Sequence, residues 1–257
     1  MKNYLIAANW KQNGNLKSLS NLTKNIANLS SKRKIRHKLV LFPPAIYLFN
    51  IYSLIKNKKN ILLGIQNISP YNDGAFTGEV SSKMAKDSGC SHVIIGHSER
   101  RHILGESNAE IESKVSFSND MKLNIILCVG ETALERRKKM TKKVIAKQLR
   151  TALFSLRNKL KRNLQRLVIA YEPVWAIGTG KNATIEQITD IHNYIAKSLS
   201  NIFGRNSLKI KILYGGSVNN TNAKSILELD NVDGALVGGA SLQAKRFIEI
   251  CSSIWDN

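Results

Sequence analysis

Leu167-Val168-Ile169-Ala170-Tyr171-Glu172-Pro173-Val174-Trp175-Ala176-Ile177-Gly178-Thr179-Gly180-Lys181 is the stretch on which the fold turns. Its first five residues form an unbroken apolar run, the pattern of a short buried strand. Pro173 biases the residue before it away from helix, so Glu172 stands in extended geometry at the strand's mouth. The loop that follows carries Val174, Trp175, Ala176 and Ile177 and is tipped by Gly178-Thr179-Gly180. Loops are ordinarily polar, and an apolar one is built to press onto something. With an acid at its base and glycines at its tip, it reads as a lid over a reacting group and a bound anion. From this stretch alone, an ordinary exposed carboxylate beside a packing loop stays open as the other reading.

Working outward, the same strand-then-helix unit recurs along the chain. The predicted strands are Tyr4 to Ala8, Leu39 to Phe42, Ile61 to Ile65, His92 to Ile95, Asn124 to Val129, Leu167 to Tyr171, Ile210 to Leu213 and Ala235 to Val237. Between them the pattern predicts helices from about Leu16 to Leu29, Ala45 to Ile55 and Glu79 to Ser88. In the second of these, Ile46, Leu48, Phe49 and Leu54 can share an apolar face. Ser107-Asn108-Ala109-Glu110 and Thr184-Ile185-Glu186-Gln187 are capping boxes, each opening a helix; the second helix runs to about Phe203. Val144, Ile145, Gln148, Leu149, Ala152, Leu153 and Leu156 fall at helical spacing. Short helices follow the last two strands, from Asn222 to Leu227 and on through Ile250. Eight consecutive units with nearly continuous apolar strands imply a parallel sheet covered by helices. An open doubly wound sheet could hold eight strands, but the count and the length of 257 residues match a closed α/β barrel, (β/α)8, as one domain over 1–257.

Composition narrows the function classes. With 43% hydrophobic residues the chain can bury a large core, and 22% charged residues is ordinary for a soluble protein. The first apolar run is too short for a secretory signal, and no run approaches the length of a membrane span. Cys90, Cys128 and Cys251 are far apart and odd in number, which offers neither a disulfide framework nor a metal or redox motif. A reducing cytoplasm is the expected setting, with no metal and no cofactor. The net charge of +21 is unusual, and thirteen Lys or Arg residues with no acid lie between Arg136 and Arg166. Such a block can hold polyanions non-specifically, but no nucleic-acid fold signature accompanies it, and a solvated face is the simpler reading.

In a closed parallel barrel, sites form at the C-terminal strand ends. There the sequence offers Asn9 and Lys11, an amide donor and a point charge, after the first strand. After the fourth it offers Gly96-His97-Ser98-Glu99-Arg100-Arg101. A helix starting there points its positive end at His97, which predicts a depressed imidazole pKa and a neutral ring able to donate to a substrate oxygen. Alone, His97 could equally be a packing residue. Gly215-Gly216-Ser217 and Gly238-Gly239 end the last two strands, where backbone amides can approach a phosphate closely. Either pair could also simply make a turn. Together the set suits proton transfer beside a carbonyl in a small phosphorylated molecule.

Seven motifs, in order and nearly spanning the chain, resemble the triosephosphate isomerase family. They are Asn9-Trp10-Lys11, Gly74-Ala75-Phe76-Thr77-Gly78-Glu79, Gly96 to Arg101, Cys128-Val129-Gly130-Glu131, the lid, Tyr214-Gly215-Gly216-Ser217-Val218, and Asp233-Gly234-Ala235-Leu236-Val237-Gly238-Gly239-Ala240-Ser241-Leu242. The resemblance implies interconversion of dihydroxyacetone phosphate and D-glyceraldehyde 3-phosphate through an enediolate, in glycolysis and gluconeogenesis. It implies Glu172 as base, His97 as proton shuttle, and Asn9 and Lys11 as stabilisers of negative charge. Amides at Gly178, Ser217, Gly238 and Gly239 would hold the phosphate, and Glu99 would orient Lys11 or its neighbours rather than do chemistry. It further implies a homodimer through the loop Gln66 to Glu79. Ile185 stands where the family commonly has a proline after the lid.

Overall fold

The computed structural model describes residues 2–159, 164–177 and 182–254, apart from the side chains of 158 and 159. In chain order the regular elements are β1 (Leu5–Asn9), α1 (Leu16–Lys32), β2 (Lys38–Phe42), α2 (Leu48–Ile55), β3 (Ile61–Ile65), α3 (Ser82–Asp87) and β4 (His92–Ile95). They continue as α4 (Ser98–His102), α5 (Asn108–Asp120), β5 (Asn124–Val129), α6 (Ala133–Arg137), α7 (Thr141–Ala152), α8 (Leu156–Lys159) and β6 (Leu167–Tyr171). The last are α9 (Ile185–Phe203), β7 (Lys211–Tyr214), α10 (Ala223–Leu227), β8 (Gly234–Val237) and α11 (Ala244–Ser252). The strands pair in sequence order, all parallel, and β8 closes onto β1. The expected closed barrel is therefore present.

Two capping boxes lie where the sequence places them. Ser107 and Glu110 exchange side-chain and backbone bonds at the start of α5, as do Thr184 and Gln187 at α9. Three helices differ from expectation. The run from Val144 to Leu156 is not one helix: α7 ends at Ala152, residues 153–155 turn, and α8 begins at Leu156. The segment Ala45–Tyr47 is a 3-10 turn and α2 begins at Leu48; its buried face is Leu48, Ile51 and Ile55, while Ile46 and Phe49 are 79% and 78% exposed. The tight turn rotates the helix so that positions i, i+3 and i+7 from Leu48 meet the sheet. The helix α3 starts at Ser82 rather than Glu79, because Ser81 caps it by accepting the Met84 amide.

Two apolar layers follow from the strand pleat. Leu5, Ala7, Val40, Phe42, Ile94, Ile126, Cys128, Val168, Ala170, Leu213 and Leu236 form one cluster, the barrel interior. The alternate strand residues, such as Ile6, Leu41, Ile95, Leu127 and Ile169, join the larger cluster against the helices. Closure has a steric condition. Gly234, at φ +150°, lies beside Leu5, and a Cβ there would fall 1.9 Å from the Leu5 carbonyl oxygen. Gly234→Ala should therefore destabilise the fold by about 3 kcal/mol or more, since neither backbone can yield without parting β8 from β1. Urea denaturation checks this, and a loss under about 1 kcal/mol would contradict the closure argument.

Candidate active site

The inward series on each strand continues past its last core residue to the barrel mouth. On β6 it runs Val168, Ala170, Glu172; on β1, Leu5, Ala7, Asn9. On β5, β7 and β8 the next inward positions are Gly130, Gly215 and Gly238. Glycines thus leave space around one acid and one amide. The result is a cavity of about 480 Å³ whose wall includes Asn9, Lys11, His97, Glu172, Ser217 and Gly239. The structure therefore brings together every described residue that the sequence singled out. Gly178, with the rest of 178–181, lies outside the described residues; Ile177, just before it, lines the cavity.

Glu172 is 2% exposed and held on both oxygens. Oε1 lies 3.0 Å from His97 Nε2, and Oε2 accepts the Ser98 amide at 2.9 Å. Burial alone would raise its pKa, but His97, the Ser98 amide and Lys11 outweigh burial and hold the carboxyl below its ordinary range. Its backbone is equally confined, with the amide donating to the Val129 carbonyl at 2.8 Å. A Cβ on Gly130 would sit 1.7 Å from the Glu172 carbonyl oxygen, so only glycine permits this approach. Gln148 secures Gly130, accepting its amide at 2.8 Å and donating to its carbonyl at 3.0 Å. Gln148 sits among the apolar positions of α7, and that odd polar residue was the signal available in the sequence for this role.

His97 caps α4, and its Nδ1 accepts the Glu99 amide at 3.3 Å, which leaves the proton of the neutral ring on Nε2. The expected depression of its pKa is not what this site produces. Burial lowers it, but the Glu172 carboxylate, with Glu99 behind it, raises the imidazole above its ordinary value. A unit charge at 3.0 Å outweighs the partial charge of a five-residue helix, whose terminus carries about half a charge at most.

Lys11 adopts φ +52°, sparsely populated for a side chain with a Cβ. Asn9 Oδ1 accepts its amide at 3.0 Å, and Gln66 Nε2 donates to its carbonyl at 2.8 Å. Its ammonium bonds Glu99 at 2.5 Å, so Glu99 orients Lys11 as expected. Opposite, the Gly238 carbonyl is tied into the turn Gly239–Leu242 by the Ser241 amide and hydroxyl, and a Cβ on Gly239 would meet nothing within 4 Å. That backbone lies open to the cavity.

Residues that sequence reasoning left without a role support the lid's base. Glu131 is fully buried and accepts from Tyr171 Oη at 3.2 Å, Trp175 Nε1 at 2.9 Å and Arg136 Nη1 at 3.4 Å. The Arg136 guanidinium lies over the Trp175 ring at 4.2 Å. Arg101 donates to the Gly96 and Cys128 carbonyls, joining the ends of β4 and β5. Cys128 is a buried core residue whose thiol pKa is pushed well up by burial, and Ile185 begins α9, partly buried against the core.

Residues 4–254 match the family model for triosephosphate isomerase. A triosephosphate isomerase from Lawsonia intracellularis is 50% identical over 246 residues, 96% of each chain. One from Francisella tularensis subsp. mediasiatica is 42% identical, covering 96% of this chain and 95% of that one. A crystal structure of triosephosphate isomerase from Bartonella henselae superposes with a TM-score of 0.86 at 37% identity, over 98% of this chain and 99% of that one.

The electrostatics of the pair can be checked directly. Removing the carboxylate with Glu172→Gln leaves burial in control, so the His97 titration midpoint should fall below its wild-type value. Imidazole NMR against pH reads this; a midpoint that stays or rises would remove Glu172 as the cause.

Proposed function

This chain belongs to the triosephosphate isomerase family, enzymes that interconvert dihydroxyacetone phosphate and D-glyceraldehyde 3-phosphate in glycolysis, and from that premise we propose how its residues divide the work. Glu172 takes a proton from the carbon beside the substrate carbonyl. The C–H electron pair becomes the C=C bond of an enediolate, and the carbonyl pair moves onto oxygen. His97 gives its Nε2 proton to that oxygen and recovers one from the neighbouring hydroxyl. Glu172 returns its proton to the second carbon, and the carbonyl re-forms one position along. Asn9 and Lys11 stabilise the negative oxygen as it forms. Amides at Gly178, Ser217, Gly238 and Gly239 hold the phosphate, and lid closure excludes water from the intermediate. Every step is a proton transfer, so the scheme calls on no cofactor.

One observation carries this reading: Glu172 Oε1 stands 3.0 Å from His97 Nε2 at the wall of a cavity shared with Lys11 and both glycine turns. When Glu172 turns from His97 to the substrate carbon, the influence that raises the imidazole is lost. Burial then keeps the ring neutral, the state a proton donor to a weakly acidic oxygen requires. That pattern is established for this family and is applied here to His97 and Glu172.

We also propose that residues 1–257 work as one barrel domain and that the enzyme is a homodimer. Its loop 66–79 stacks Tyr71 on Phe76 at 4.2 Å and is pinned by Asp73 to Ser81. A second cavity of about 590 Å³, beside Lys11 and His97, is lined by Gln66, Glu79, Ile103 and Leu104. Of its lining residues, Ile103 and Leu104 are exposed apolar side chains, 76% and 64% accessible. Insertion of the partner's loop would cover them in an isologous contact. A cytoplasmic setting fits the three free, buried cysteines. Among the described residues no helix is long and apolar enough to cross a membrane. Polyanions would meet the exposed lysines of α7 as a non-specific contact only.

In a coupled assay, Glu172→Gln should lower kcat by about 10²- to 10⁴-fold, the range for a positioned general base. A variant retaining most of its turnover would assign the base elsewhere. Sedimentation should find a dimer at nanomolar concentration, and a fully active monomer there would remove the dimer proposal.

A further inference from the structure

Among the described residues, the charged groups on the cavity wall are Lys11, His97, Glu172 and Arg246. Three of them are engaged with one another or with Glu99. Lys11 bonds the Glu99 carboxylate, and His97 faces Glu172. The Lys11–Glu99 pair carries no net charge, and Glu172 repels an incoming anion. Arg246 differs. It is an exposed residue near the start of α11, on the side of the cavity formed by Gly238, Gly239, Ala240 and Leu242. Among the described residues it makes no ion pair or hydrogen bond.

Its position is fixed from below. Phe247 and Ile248, next in sequence, are buried in the core, and the Phe247 amide bonds the Gln243 carbonyl. The backbone of Arg246 is therefore held at a position where the residue lines the cavity. A phosphate monoester carries close to two negative charges at neutral pH, and the glycine turns that face it bring only partial charges. A guanidinium is always charged and presents a fork of donors matched to phosphate oxygens.

We propose that Arg246 is a specificity-determining residue: the unpaired cation of the phosphate side, which draws the substrate's phosphate dianion onto the Gly238-Gly239 turn. The proposal rests on the site assignment above. Being exposed, Arg246 acts through a field that salt screens, and it contributes to capture of the substrate rather than to the proton transfers. It selects phosphorylated over phosphate-free trioses.

The test compares wild type with Arg246→Gln and Arg246→Lys, using D-glyceraldehyde 3-phosphate and phosphate-free D-glyceraldehyde as substrates. For Arg246→Gln, the ratio of the two kcat/KM values should fall by about three- to tenfold at low ionic strength, through KM, with the difference shrinking as salt is raised. Arg246→Lys should recover part of the ratio. An equal fall with both substrates would mean that Arg246 serves only the fold, and an unchanged ratio would mean that it does not meet the phosphate; either overturns the proposal. Titration with inorganic phosphate followed by 31P NMR decides independently of turnover. Weaker binding to Arg246→Gln supports the proposal even if the roles given to Glu172 and His97 are wrong, and equal binding overturns it.

Discussion

A closed parallel barrel leaves each strand one inward position in every two residues, and most of this molecule depends on that restriction. Eleven buried apolar residues form the interior cluster. Two residues beyond the last of them on any strand, the chain has reached the mouth, and whatever stands there faces a space it shares with seven other strands. On β6 that residue is Glu172 and on β1 it is Asn9; on β5, β7 and β8 glycines take the place. A larger side chain at any of those glycine positions would occupy the cavity. At Gly130 it would also collide with the Glu172 backbone. The acid and the emptiness around it come from one geometric rule.

Burying a carboxylate at such a site is costly unless it is paired and hydrogen-bonded, and the molecule meets that cost twice. Glu172 is held by His97 and the Ser98 amide, Glu131 by Tyr171, Trp175 and Arg136. The two acids have opposite prospects. Glu131 is enclosed by groups that belong to β6, the lid base and α6, so its charge fastens structure. Glu172 shares its charge with an imidazole that can let it go, and its other side faces open cavity. The same residue type therefore serves as an anchor in one place and, in the proposed reaction, as a movable base in the other, according to what surrounds it.

Much of the fold was legible because its signals are local. Largely apolar runs of three to six residues marked the strands to within a residue or so, and the two capping boxes opened α5 and α9 where Ser107 and Thr184 stand. The face of α2 was misread. Phe49 and Ile46 are apolar, but whether an apolar residue faces core or solvent depends on the turn that precedes its helix, and Ala45–Tyr47 winds more tightly than an α-helix. The pKa of His97 was misread for a related reason. Its neighbours in sequence, the amides opening α4, would lower it, while its neighbour in space, Glu172, is 75 residues away and raises it.

Residue order alone marked eight strands, pointed through their count and the chain length to a closed barrel, and singled out the acid, the imidazole, the cation and the glycine turns as candidates. Each strand and each candidate is written in a short window, through periodicity, proline and glycine chemistry, or a motif; closure and the choice of the set came from reading the windows together. Tertiary structure alone decided that Gln148 clamps Gly130, that Glu131 gathers Tyr171, Trp175 and Arg136, and that Arg246 stands on the cavity wall with Gly238 and Gly239. These are encounters between segments far apart in the chain. Electrostatic and steric energies depend on distance through space, which local sequence does not specify.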